Sequence, residues 1–85
     1  MKEFKYVIKD EQGIHARPAG LLVKAAGKFT SQIVIRANGK EGDAKRLFAL
    51  MGMGVKCGDT IAVTIEGADE EQAAAEIENF LKANL

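Results

Sequence analysis

Residues 13–18, Gly-Ile-His-Ala-Arg-Pro, include the only histidine and the only proline of the chain. His15 stands directly before a segment, Ala16 to about Lys28, whose apolar residues recur with helical spacing. The imidazole is therefore predicted to lie at a helix N-terminus. Proline is tolerated in the first turn of a helix, where its missing N–H would have no intrahelical partner. The amides of Ala16 and Arg17 should then point out of this helix end unpaired.

This arrangement is suited to holding a phosphoryl group. A helix N-terminus attracts anions, and a guanidinium such as that of Arg17 adds forked, charge-assisted hydrogen bonds. Neutral imidazole is a nucleophile, and a positive helix end favours the neutral form. The small residues Gly13 and Ala16 should leave the ring accessible. We therefore predict that His15 attacks a phosphoryl group and holds it covalently, while the amides of Ala16 and Arg17 and the Arg17 side chain hold its oxygens.

The residues alone leave other interpretations of His15 open. A lone histidine is often a helix N-cap or a surface residue without chemistry, and short motifs give false matches. A phosphohydrolase with a phosphohistidine intermediate needs a general acid or base and a substrate pocket, which the neighbouring residues do not clearly offer. A regulatory module could keep the same shape and act only by docking. We expect a relay protein and not a stand-alone enzyme.

Length and composition predict one small domain over residues 1–85. Twelve basic and twelve acidic residues cancel, so the net charge gives no reason to expect nucleic acid or an anionic membrane as a partner. No apolar run has the length of a membrane span or the form of a signal peptide. Cys57, the single cysteine, has no second thiol or histidine nearby. We expect a cytoplasmic protein without metal or cofactor, in which Cys57 is an incidental loop thiol.

Four strands are predicted: three from alternating hydrophobicity with an apolar face, and a short third strand that should pair back against the second through a hairpin. They are expected at about residues 4–8, 32–36, 40–43 and 60–66. Asn38-Gly39, between the second and third strands, is the strongest hairpin signal in the chain, because a two-residue type I′ turn needs positive φ at both positions.

Three helices are predicted, one before the second strand, one after the third and one after the fourth. The middle helix, residues 44–51, has apolar residues on more than one face, and Leu50 is the candidate for the buried contact. Leu47, Phe48 and Met51 then either form a partly exposed docking patch or fill the core with Leu50, as apolar residues more often do. The last helix should begin at Asp69, which has capping-box spacing with Gln72. The order βαββαβα, with one apolar face per strand, predicts an α+β fold in which helices cover one side of an antiparallel sheet.

The chain resembles the HPr family, the histidine phosphocarriers of the bacterial sugar phosphotransferase system, over essentially its whole length. The resemblance lies in Gly-Ile-His-Ala-Arg-Pro-Ala at 13–19, Asn-Gly-Lys at 38–40, Lys-Arg-Leu-Phe-Ala-Leu-Met at 45–51 and Gly-Ala-Asp-Glu at 67–70. It implies an open-faced β-sandwich with four antiparallel strands and three helices. It also implies that His15 accepts a phosphoryl group on Nδ1 from enzyme I, which phosphoenolpyruvate charges, and passes it to enzyme IIA domains for sugar uptake.

The same resemblance implies roles for further residues. Arg17 corresponds to the active-centre arginine of the family, and Pro18 corresponds to its active-centre proline. The partner-docking surface of the family corresponds to Ala16, Gly20, Lys24, Leu47, Phe48 and Met51. The resemblance therefore favours the partly exposed patch on the middle helix over complete burial. We expect a monomer, because a carrier must present the same face to successive partners.

Arg46 departs from the family pattern. Many members have a serine at this position, and in Gram-positive relatives a dedicated kinase phosphorylates it. Arginine has no hydroxyl to modify, and neither Thr30 nor Ser31 occupies the matching position. We therefore predict that a kinase of this type does not label position 46, and phosphate found there by mass spectrometry would contradict this.

Overall fold

The computed structural model describes residues 1–85 as four strands and three helices. In chain order the elements are β1 (Lys2–Val7), α1 (Ala16–Ala26), β2 (Gln32–Ala37), β3 (Lys40–Asp43), α2 (Leu47–Met51), β4 (Thr60–Glu66) and α3 (Glu70–Asn84). None of these helices combines the length and hydrophobicity that a membrane crossing requires. The predicted order βαββαβα is confirmed.

The four strands form one antiparallel sheet in the order β1-β4-β2-β3. The tight turn between β2 and β3 is confirmed, since Asn38 has φ 56° and Gly39 has φ 74°. Ala37 pairs with Lys40 across this turn. The pairing of β4 with both β1 and β2 places the most regularly alternating strand of the sequence at the centre of the sheet.

One face of the sheet is covered by the helices and the other is open. Apart from alanines, the core residues that lose all solvent exposure come from the covered face and from each helix: Ile33, Ile35, Ile61, Val63 and Ile65 from the sheet, and Leu22, Leu50, Ile77 and Leu81 from the helices. On the open face Lys5, Arg36 and Glu41 are exposed. The predicted α+β open-faced β-sandwich is confirmed.

Two helix boundaries differ from the sequence prediction. The first helix ends at Ala26 and not near Lys28, because the amides of Lys28 and Phe29 bond three residues back, to the carbonyls of Ala25 and Ala26. The middle helix begins at Leu47 and not at position 44. The backbone turns first, since the Asp43 side chain accepts the amide of Lys45 and its carbonyl accepts that of residue 46.

The predicted capping box at Asp69 is wrong. Asp69 is the residue before α3, but its side chain makes no cap hydrogen bond. Its carboxylate instead accepts hydrogen bonds from the amide of Thr30 and from both the amide and the hydroxyl of Ser31. Ser31 is fully buried, so this carboxylate satisfies a polar side chain that would otherwise lack a partner in the core. The contact ties the start of α3 to the chain between α1 and β2.

Asp69 should make stability depend on acid pH. The Ser31 hydroxyl, followed by the Thr30 amide, lowers the pKa of Asp69 from its ordinary value of 3.8 to about 2. Because the folded-state pKa lies below the unfolded one, the stabilisation is complete above pH 3.8 and is lost as pH falls towards 2. We expect Asp69→Asn to lower the urea midpoint at neutral pH, and the difference from the parent chain to close towards pH 2. Glu76→Gln, which removes an exposed carboxylate without an ion pair, is the control, and a pH-independent effect of Asp69→Asn would contradict the expectation.

Candidate functional site

The imidazole of His15 lies at the N-terminus of α1, as the sequence predicts. His15 is the N-cap residue, with an extended backbone (φ −112°, ψ −176°), and its side chain makes no cap hydrogen bond. The side chain is 34% exposed. The ring is therefore partly open to solvent, and it does not serve as a hydrogen-bonding cap of the helix.

The anion-binding groups predicted around the ring are present at this helix end. The amides of Ala16 and Arg17 make no backbone hydrogen bond, and the first amide paired within the helix is that of Ala19, which bonds the His15 carbonyl. The exposed Arg17 side chain has no ion pair, whereas Pro18 is buried. An unpaired guanidinium and two unpaired amides beside a histidine can bind the oxygens of a phosphoryl group while a ring nitrogen bonds its phosphorus.

Gly13 has a packing role in addition to the predicted one of leaving the ring accessible. It is buried and has φ 69°, and a Cβ at this position would lie 2.6 Å from Lys56 Cα and closer still to the Val55 carbonyl oxygen. The same carbonyl accepts the amide of Ile14 at 3.1 Å. Gly13 therefore lets the loop before α1 pass directly against residues 55–56. It fixes the path of the chain into His15 and does not simply leave space for the ring.

Three residues near His15 were not predicted from the sequence. Asp10, Leu21 and Asn84 line a shallow surface depression together with His15, Arg17 and Pro18. Asp10 Oδ1 lies 3.6 Å from His15 Nε2. Leu21, off the apolar stripe of α1 and one turn after Arg17, is 45% exposed and could have been noticed for that reason. Asn84 comes from the far end of the chain, and no local signal connects it with His15.

The residues of the predicted docking surface lie on α1 and α2, which pack against each other. On α1 the four-residue spacing of Ala16, Gly20 and Lys24 places them on one side of the helix, and none of them is buried. On α2 Phe48 is 84% exposed, Met51 is 40% exposed and Leu47 is partly buried, while Leu50 is fully buried. The predicted burial of Leu50 and partial exposure of its apolar neighbours are confirmed.

The two basic residues before α2 differ in how firmly their side chains are held. Lys45 is held, because its Nζ donates a hydrogen bond of 2.7 Å to the carbonyl of Phe29. Arg46 has a side chain that is 79% exposed, and its only ionic contact is with Asp43 at 3.9 Å. Such a long contact at the surface contributes little stability. Arg46 therefore places a nearly free positive charge beside the apolar residues of α2. No group of three or more histidine, cysteine or acidic side chains is arranged to hold a metal ion.

Known proteins match this chain from end to end. The family model for the PTS HPr component phosphorylation site matches residues 2–83. The phosphocarrier protein HPr of Mycoplasma genitalium is 45% identical over 85 residues, which cover 99% of this chain and 97% of that protein.

Solved structures agree with this assignment. A mycoplasma histidine-containing phosphocarrier protein superposes with a TM-score of 0.94 at 39% identity, covering 96% of this chain and 93% of that one. The crystal structure of an HPr from Thermoanaerobacter tengcongensis superposes with a TM-score of 0.92 at 38% identity, covering 98% of this chain and 93% of that one. The fold and the matching proteins define a phosphocarrier. The chain belongs to the HPr family.

Proposed function

We propose that His15 accepts a phosphoryl group from enzyme I, which phosphoenolpyruvate charges, and passes it to enzyme IIA domains for sugar uptake. One observation supports this most directly: a partly exposed imidazole stands beside two unpaired helix amides and an unpaired guanidinium. In the acceptor step, the lone pair of a ring nitrogen forms a bond to phosphorus while the bond from phosphorus to the donor breaks. The amides of Ala16 and Arg17 and the Arg17 side chain bind the phosphoryl oxygens.

The openness of the site suits a carrier. A phosphoryl group on His15 would be held by donors on one side only, at the rim of a shallow depression. Such a site keeps the group accessible to a second protein, whereas a closed cage would hold it. Reconstitution tests this: with labelled phosphoenolpyruvate and enzyme I, label should reach enzyme IIA only when this chain is present. Label that stays on enzyme I in the presence of an enzyme IIA set from the same organism would argue for a docking-only role.

We propose that the partner-docking surface is formed by Ala16, Gly20, Lys24, Leu47, Phe48 and Met51. Phe48 projects an apolar ring into solvent, where it contributes little to folding, so its exposure is better explained by binding. We expect Phe48→Ala to weaken binding to enzyme I about tenfold and to leave the melting temperature unchanged. Titration calorimetry and a thermal melt measure the two quantities.

Leu50→Ala is the matched control for Phe48→Ala, because Leu50 lies on the same short helix but is fully buried. Removing its side chain should lower the free energy of unfolding by about 2–4 kcal/mol. The two variants should therefore separate docking from stability. If Phe48→Ala destabilised the chain as much as Leu50→Ala, the docking assignment of Phe48 would be wrong.

We further propose that residues 1–85 act as one domain and as a cytoplasmic monomer, in a relay and not as a stand-alone enzyme. The depression beside His15 is too shallow to enclose a small substrate. Incubation of the isolated chain with a small phosphate ester should therefore release no inorganic phosphate. Sustained turnover by the isolated chain would instead favour a phosphohydrolase.

A further inference from the structure

The loop between β1 and α1 brings a carboxylate to the edge of the His15 ring. Asp10 Oδ1 lies 3.6 Å from His15 Nε2, and the two side chains are 29% and 34% exposed. No other carboxylate oxygen lies within 4.0 Å of a nitrogen of this ring. The distance is that of an ionic contact and exceeds that of a hydrogen bond, but such contacts at reactive groups often tighten only when the partner binds.

The backbone holds the Asp10 carboxylate in this position. Its Oδ1 accepts the amide of Gln12 at 2.8 Å, which closes a local turn. The amide of Asp10 donates to the Leu85 carbonyl at 2.9 Å, and its carbonyl accepts the amide of Gly13 at 3.0 Å. Since Gly13 is pressed against residues 55–56, the loop has little freedom to move. The carboxylate is therefore fixed at the Nε2 side of the ring and does not swing freely in solvent.

We propose that Asp10 is a positioning residue, which keeps the proton of the neutral His15 ring on Nε2 and so presents Nδ1 as the nucleophile. A neutral imidazole has one N–H donor and one acceptor nitrogen, and a carboxylate can only accept. The nitrogen that faces Asp10 is thus the one that carries the proton. This inference rests on the proposed function of His15.

The consequence for phosphoryl transfer follows from electron and proton balance. The Nδ1 lone pair forms the N–P bond, and the electron pair of the breaking bond leaves with the donor. The ring keeps its Nε2 proton, so no base has to remove a proton during the step. The positive charge that develops on the ring faces the Asp10 carboxylate. In onward transfer a nucleophile of the acceptor protein forms a bond to phosphorus while the N–P bond breaks, and the electron pair of the N–P bond returns to Nδ1.

Three variants test this role. In Asp10→Ser, the hydroxyl can still accept the Gln12 amide, but the carboxylate facing the ring is lost. Asp10→Asn keeps an oxygen that can accept both the Gln12 amide and the ring N–H. Glu11→Ser removes the same charge from the adjacent residue, which is exposed and has no hydrogen bond or ion pair of its own. The third variant therefore controls for net charge near the site.

Nitrogen-15 NMR of the neutral ring is the deciding readout, because a merely structural role would leave it unchanged. We expect the parent chain and Glu11→Ser to show the proton on Nε2. Asp10→Ser should show a mixture of the two forms and accept phosphate from enzyme I about fivefold more slowly. Asp10→Asn should keep the proton mostly on Nε2 and accept phosphate at close to the rate of the parent chain.

Two results would overturn the role of Asp10: a proton on Nδ1 in the parent chain, or an Asp10→Ser spectrum identical to that of the parent. The spectra are recorded on unphosphorylated protein. They therefore test Asp10 separately from the proposed function, which fails if His15 never accepts a phosphoryl group or never passes it on.

Discussion

Arg17→Gln is expected to slow phosphoryl transfer to His15 about a hundredfold, the lower end of the effect of removing one preorganised donor from a transferring group. The guanidinium has no ion pair, so the substitution breaks no ionic contact within the folded chain. Arg17 and His15 line the same depression, and docking of a phosphorylated donor there would exclude water and strengthen the contact between guanidinium and phosphate. The melting temperature should therefore stay unchanged while the rate falls.

The Arg17 prediction can be checked by single-turnover rates with excess phosphorylated enzyme I. Lys5→Gln is the control, because it removes one exposed positive charge from the open face of the sheet, away from the helices. Equal rates for the Arg17 and Lys5 variants would show that Arg17 acts only through net charge. Arg17→Lys should recover part of the rate, because it restores the charge without the forked donors.

Gly13→Ala is expected to destabilise the fold by about 3 kcal/mol. Its positive φ disfavours any side chain by about 1 kcal/mol, and the added Cβ would also overlap the backbone of Val55 and Lys56. Relief requires the loop before His15 to move away from residues 55–56. Urea denaturation at neutral pH measures the loss.

Gly54→Ala separates the cost of the positive φ from the cost of the steric overlap in Gly13→Ala. Gly54 also has a positive φ, 66°, but a Cβ there would meet no atom within 4 Å. We expect this control to lose only about 1 kcal/mol. If Gly13→Ala and Gly54→Ala lowered the free energy of unfolding equally, the overlap with residues 55–56 would not explain the effect at Gly13.

The sequence was sufficient where short-range patterns decide structure. The Asn38-Gly39 turn, the alternation of β4 and the position of His15 before an amphipathic helix each depend on neighbouring residues, and the structure has all three. The exposure of Phe48 beside the buried Leu50 was favoured only by the family resemblance, because the segment alone also allowed all its apolar residues to fill the core.

The remaining features depend on contacts between distant parts of the chain. The Asp69 side chain was predicted to cap its own helix. Its carboxylate instead accepts hydrogen bonds from Ser31, which lies 38 residues earlier in the chain. Asp10 faces His15 because the loop that contains it is fixed by the amide contact with Leu85 and by the passage of Gly13 against residues 55–56. Spacing along the sequence contains no information about such contacts.

Every role proposed for the residues around His15 depends on the identity of the phosphoryl acceptor. Incubation with phosphoenolpyruvate and catalytic enzyme I, followed by intact mass before and after mild acid, tests it directly. We predict one phosphoryl group on the parent chain, lost in acid as expected for a phosphoramidate, and none on His15→Ala. A phosphate that survives acid, or that forms equally on His15→Ala, would contradict the assignment of His15 as the acceptor.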